Sequence, residues 1–172
     1  MSTPTEGTIA LTGFMGAGKT TVGACLADRL GRPFVDLDRV IEATHGPIPA
    51  LFADRGEAAF RALEAEALAE QLDGPPRILA TGGGTLIDPA NQVRLATTYR
   101  VWLRVAWDTV EARIDSTRPD RPLWDASARA RFAARQPLYA DNADQIVDVD
   151  GRTPDAVVDA IIAEFKPLRR PE

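Results

Sequence analysis

The run Gly13-Phe14-Met15-Gly16-Ala17-Gly18-Lys19-Thr20 constrains this chain more than any other stretch, because it fills the GxxxxGK[ST] pattern at every position. An apolar segment, Thr8 to Phe14, leads into it and reads as a buried strand ending at glycine. Helical spacing follows, with Val22, Leu26 and Leu30 four apart and Gly31 as the stop. Glycines let a chain turn tightly with its amides facing inward, and a helix start carries unpaired N–H groups, so strand, turn and helix together make an anion nest. Gly13, Gly16, Ala17, Gly18, Lys19, Thr20 and Thr21 are therefore the candidate nucleotide contacts. Lys19 is expected to reach the β- and γ-phosphates and the Thr20 hydroxyl to ligate Mg²⁺. Such a loop leaves the reaction open. A GTPase needs a guanine-reading NKxD segment, which the sequence lacks, and a large motor needs more than 172 residues.

The remaining pattern alternates strands with helices or loops. PFVDLD reads as a short strand ending in two acids, followed by a helix over about Val40 to Thr44 that the glycine and prolines of HGPIP interrupt. Ala58 to Leu72 is rich in helix formers, with Phe60, Leu63, Ala67 and Leu68 on one stripe. RILA and YRVWLRV are strands, and Ala106 to Ile114 is helical with Asp108 as a cap candidate. A helix runs through SARARFAARQPLY, QIVDVD is the last strand, and PDAVVDAIIAEF is a final helix opened by proline. Strands apolar for most of their length predict an α/β fold of three layers, with a central parallel sheet of about five strands and helices on both faces, in one domain spanning 1–172.

Asp36 and Asp38 stand two apart, so on an extended segment both point to one side, beside the phosphate loop. One could hold hydrated Mg²⁺ and the other orient or deprotonate an acceptor hydroxyl; the plainer reading is a solvated, helix-capping strand end. Arg61 and Glu64, three apart, could be a simple intrahelical ion pair. Arg121 and Arg135 add guanidiniums that suit a carboxylate or a phosphoryl group. Gly82, Gly83 and Gly84 follow a strand directly, a costly run unless a tight turn or a close ligand requires it. DSTRPDRPLWD reads as a loop over the site.

A net charge of −5 argues against general nucleic-acid binding, though it leaves room for a local basic pocket. The single cysteine, Cys25, permits no internal disulfide and reads as a packing residue. The only histidine, His45, has no Cys or His neighbours, which suits an ordinary role rather than a metal site. Trp102 and Trp107 read as packing groups. No secretory signal and no apolar run of roughly 20 residues is present, so a cytoplasmic address with no membrane partner is expected.

From about Ile9 to Phe165 the chain resembles the shikimate kinase family, on GFMGAGKTTVG, DLD, LF(x)₃GEAAFRALE, GGG, RPLW and RQPLY in that order. The resemblance implies a P-loop kinase fold, related to nucleoside monophosphate kinases, that makes shikimate 3-phosphate from shikimate and ATP with Mg²⁺. It implies a core over about 8–166, a shikimate-side segment over about 37–64, a mobile lid over about 115–127 and a monomer. By motif, Lys19 resembles the phosphate lysine, Thr20 the direct Mg²⁺ ligand, Asp36 the acid holding the ion through water, and Asp38 the contact and base for the acceptor hydroxyl. Arg61 and Arg135 resemble the clamp on the shikimate carboxylate, and Gly82, Gly83 and Gly84 the loop lining that substrate. Phe52, Phe60 and Glu64 fall at further pocket positions. Arg121 resembles the lid arginine that approaches the γ-phosphate, and Arg113 and Arg152 resemble residues bordering adenine.

The chain departs from the family pattern in three places. Gly46-Pro47-Ile48-Pro49 replaces a Gly-x-Ser/Thr-Ile approach and loses a hydroxyl cap. Trp124 follows RPL where a smaller apolar residue is commoner, and an added RPD precedes RPLW. Alternatives are a related metabolite kinase, such as a gluconate kinase, and a noncatalytic nucleotide-binding module, with a nucleoside monophosphate kinase less favoured.

Overall fold

The computed structural model describes residues 7–117 and 124–166. Five strands form one sheet: β1 (Ile9–Thr12), β2 (Phe34–Asp36), β3 (Ile78–Ala80), β4 (Tyr99–Arg104) and β5 (Gln145–Asp148). Their order is β2-β3-β1-β4-β5, and every neighbouring pair is parallel. Ile9, Ala10 and Leu11 are all completely buried, as are Ile78 and Leu79. Side chains alternate between faces along a strand, so burial of consecutive residues means that helices cover the sheet on both sides.

Those helices are α1 (Lys19–Leu30), α2 (Leu37–His45), α3 (Ile48–Leu72), α4 (Pro89–Leu95), α5 (Trp107–Thr117), α6 (Ala128–Asp141) and α7 (Pro154–Glu164). Helices α1 and α7 pack side by side and are joined at the surface by Arg29 and Asp159 at 2.8 Å. Around a short 3₁₀ turn, Thr85–Ile87, gather α3, α4 and α6. The α/β architecture with a parallel five-stranded sheet is the one the sequence pattern predicts. Trp102 is buried against Tyr139, and Trp107 stacks on Trp124 at 5.4 Å. Cys25 packs against the core, while His45 ends α2 in an exposed position. Among the described residues no helix is long and apolar enough to cross a membrane.

Several boundaries differ from the sequence pattern, each for a local reason. Helix α2 begins at Leu37 and not near Val40, because the Asp36 carboxylate accepts from the amides of Asp38 (3.0 Å) and Arg39 (3.3 Å). That cap turns the chain at once, so Asp38 sits on the first helical turn and does not share a strand with Asp36. Helix α3 starts ten residues earlier than Ala58, with a break at Gly56 (φ 80, ψ 172). Pro47 at its N-cap offers no side-chain acceptor, and Glu42 Oε1 instead accepts from the Ile48 amide at 3.2 Å. Between Gly84 and Tyr99, where the sequence pattern predicts no element, stand the 3₁₀ turn and α4, which Asp88 caps through the Ala90 amide at 2.8 Å. Helix α5 starts at Trp107, with Asp108 inside its first turn and not at the cap.

Candidate active site

The carboxyl ends of β1, β2 and β3 open onto one cleft of about 1130 Å³, where parallel α/β sheets hold their ligands. Every predicted site residue among the described ones lines it except Gly13, which holds Lys19 through its carbonyl. Arg121 lies outside the described residues, as does most of the RPD and RPLW stretch.

The phosphate loop forms one end. Gly18, at φ 90, takes the left-handed conformation that lets the chain turn into α1, which a side chain there would strain. Lys19 Nζ donates to the carbonyls of Gly13 (2.7 Å) and Phe14 (3.0 Å), so its ammonium stays over the loop. From α5, Arg113 donates to the Gly16 carbonyl at 2.6 Å. Arg152 lines the same end, with Val149, Pro154 and Val157 supplying apolar wall.

Acids occupy the middle. Thr20 Oγ1 donates to Asp36 Oδ2 at 2.6 Å, while Asp36 Oδ1 is spent on capping α2. Each oxygen of Asp36 thus has its own partner: one caps α2 and the other accepts from Thr20 beside the phosphate loop. Asp38 is raised from the usual 3.8 to about 6, first by burial and then by the neighbouring carboxylates of Asp36 and Glu64, against the pull of Lys19.

Two guanidiniums also line the cleft. Arg61 donates to Glu64 Oε2 at 2.9 Å and to Glu57 Oε1 at 3.3 Å, and its plane lies 5.3 Å from the Phe60 ring centroid. The predicted intrahelical pair therefore exists, but Glu64 is 1% exposed, so this is a buried ion pair facing the cleft and not surface decoration. Phe52 packs on Phe60 at 4.8 Å and closes the wall. Arg135, 5% exposed, sits over Phe14 at 5.7 Å. Burial lowers its pKa, with nearby Arg61 adding to the effect and Tyr139 opposing it.

Two of the three glycines, Gly82 and Gly84, explain themselves by contact. A β-carbon at Gly82 would run into Glu64 and lie 3.3 Å from Asp38 Oδ1; one at Gly84 would run into the Arg61 guanidinium. Side chains at these two positions would have to displace the Glu64 carboxylate or the Arg61 guanidinium. The loop's central carbonyl, Gly83 O, accepts from Tyr139 Oη at 2.6 Å.

Several residues at the cleft escape the sequence reading. Thr85 donates to Glu64 Oε1 at 2.7 Å, and its only signal is its place directly after the glycines. Tyr139 is one helical turn beyond Arg135 in RQPLY, hence on the same face. Arg39, Glu42, Pro47, Ile48 and Pro49 also line the cleft, the last three at the segment that departs from the family pattern.

A phosphate loop on this parallel sheet, in one cleft with two acids and two guanidiniums, is the architecture of a P-loop kinase. The sequence matches the shikimate kinase family over residues 15–166. A shikimate kinase of Ruegeria pomeroyi is 43% identical over 166 residues, covering 91% of this chain and 83% of the relative. The solved shikimate kinase from Acinetobacter baumannii in complex with shikimate superposes with a TM-score of 0.85, at 32% identity and 92% coverage of each chain. The chain belongs to the shikimate kinase family. A gluconokinase from Sinorhizobium meliloti shares the fold at 16% identity and a TM-score of 0.58, covering 94% of this chain and 92% of its own, a likeness of fold alone.

Proposed function

We propose that this chain transfers the γ-phosphoryl group of ATP to the 3-hydroxyl of shikimate, releasing shikimate 3-phosphate and ADP. The observation that carries this reading is a single cleft lined by the phosphate loop, by Asp36 and Asp38, and by Arg61 and Arg135. Such a lining suits an acceptor with one carboxylate, which paired guanidiniums bind in a forked geometry, and hydroxyls directed at an acid.

In this reading the phosphate-loop amides and Lys19 hold the β- and γ-phosphates, and Arg113 and Arg152 border the adenine. Arg61 and Arg135 grip the carboxylate, while Phe52, Phe60, Glu64 and the Gly82–Gly84 loop shape the pocket around the ring. The 3-hydroxyl oxygen bonds to the γ-phosphorus, the bond to the bridging oxygen breaks, and the hydroxyl proton passes to Asp38. A carboxyl near 6 is ionised at neutral pH yet basic enough for that task.

Thr20 and Asp36 fit a magnesium site, since a hydroxyl and a carboxylate within 2.6 Å of each other are hard oxygen donors, and Mg²⁺ takes few protein ligands and keeps water. Bound there, the ion would neutralise charge on the β- and γ-phosphate oxygens. Arg121 is proposed, from the family resemblance, as the lid arginine that approaches the phosphates and helps exclude water. The same resemblance supports a single-domain, cytoplasmic monomer acting on a small molecule without nucleic-acid or membrane partners.

The test is ADP formation by purified protein with Mg²⁺-ATP alone, with shikimate, and with gluconate. Strong stimulation by shikimate only is expected. Stimulation by gluconate instead, or ATP binding with no acceptor-dependent turnover, would transfer the site to one of the alternative readings.

A further inference from the structure

Behind the arginine end of the cleft runs a chain of buried hydrogen bonds that the substrate contacts themselves do not require. Thr85 is completely buried at the start of the 3₁₀ turn, and its hydroxyl donates to Glu64 Oε1 at 2.7 Å. The other oxygen of that carboxylate, Oε2, accepts from Arg61 at 2.9 Å. Thr85 is itself fixed twice: its amide donates to the Gly82 carbonyl at 3.3 Å, and its carbonyl accepts from Asn91 Nδ2 of α4 at 3.1 Å. Arg94 closes the run by donating to Asn91 Oδ1 at 3.1 Å. Glu64 and Asn91 are each 1% exposed, so the bonds that Thr85 makes to them are shielded from water.

A carboxylate held by a single ion pair can still turn about its last torsion, which is broad, and carry the guanidinium with it. A donor on the opposite oxygen removes that freedom. Arg61 donates through its other terminal nitrogen to Glu57, whose side chain is half exposed, so Glu64 is its buried partner. The direction of the bond from Arg61 Nη1 therefore follows the orientation of the Glu64 carboxylate. The guanidinium lies directly against Gly84, where a β-carbon would crowd it.

We propose that Thr85 is a positioning residue for the acceptor's carboxylate: acting through Glu64, it sets the direction in which Arg61 presents its N–H fork to the cleft. The inference rests on the reading of this end of the cleft as the site of a carboxylate-bearing acceptor. It assigns α4, which touches no substrate, the task of holding Thr85 in register through Asn91.

The experiment is steady-state kinetics of the T85V enzyme with Mg²⁺-ATP and shikimate, since valine keeps the shape and removes the donor. Losing one hydrogen bond to a charged group predicts a KM for shikimate raised about tenfold, with the KM for ATP held within about twofold. T85S is expected to restore the wild-type value. In an E64Q background T85V adds little, because two residues acting as one unit are not additive. If T85V does not fold, T85A makes the same test. An unchanged KM for shikimate, or parallel rises for both substrates, overturns the proposal. A wild-type enzyme that shikimate does not stimulate sinks the reaction assignment first, and the positioning role with it.

Discussion

Asp38 is placed where its chemistry and its contribution to folding pull in opposite directions. Burial and the carboxylates of Asp36 and Glu64 raise it to about 6. The folded chain then holds this proton more tightly than the unfolded chain, so stability falls as pH rises from about 4 through about 6 and stays lower above. A shift of that size is on the order of 3 kcal/mol. In magnesium-free protein, D38N is expected to melt roughly 6 to 12 °C above wild type at pH 8. The gap should close below about pH 4, where both chains carry a neutral group. Turnover of the same variant is expected to fall at least about a hundredfold, as the loss of a positioned base predicts. Thermal melts at the two pH values and one kinetic series check this. A D38N protein that is less stable at pH 8, or still fully active, contradicts the role given to Asp38.

At the scale of elements, the segment that departs from the family pattern makes the clearest prediction. Pro47 cannot cap α3 with a side chain, and Glu42 supplies the acceptor for the Ile48 amide from one helix earlier. E42A is expected to cost about 1 kcal/mol, the usual value of a lost cap. That lowers the melting temperature by about 3 °C. E42Q, which keeps a carbonyl oxygen, should melt like wild type, and equal losses in both variants would remove the capping account. The phosphate loop was legible in the sequence because strand, glycines and helix are contiguous and each imposes a local backbone requirement. So were α1 and its stop at Gly31, where the cap residue takes φ 62. Asp36 and Asp38 were legible as a pair but not in their geometry, since only the cap formed by Asp36 shows that the strand ends between them. Thr85 and Tyr139 were not legible as site residues, because their partners, Glu64 and Gly83, lie 21 and 56 positions away. Spacing within a segment carries no information about such contacts.

For the whole molecule, the sheet brings together loops from distant parts of the chain, so ligands at the two ends of the cleft should stabilise the fold separately. Shikimate at about a hundred times its dissociation constant is expected to add about 2.7 kcal/mol. That corresponds to a rise of roughly 5 to 10 °C in melting temperature. R61A should lose most of that rise and keep the rise caused by Mg²⁺-ATP, because Arg61 is held by Glu57 and Glu64 of α3, whereas Lys19 is held by the carbonyls of the phosphate loop. Loss of both rises together would mean that the cleft is not divided as described. The central claim is that the two ends meet at one hydroxyl, and phosphorus NMR of the reaction product tests it most directly. The account predicts one phosphate ester per ADP formed, with the phosphorus coupled to the proton on carbon 3 of shikimate. Free inorganic phosphate as the main product, or an ester on another hydroxyl, would contradict it.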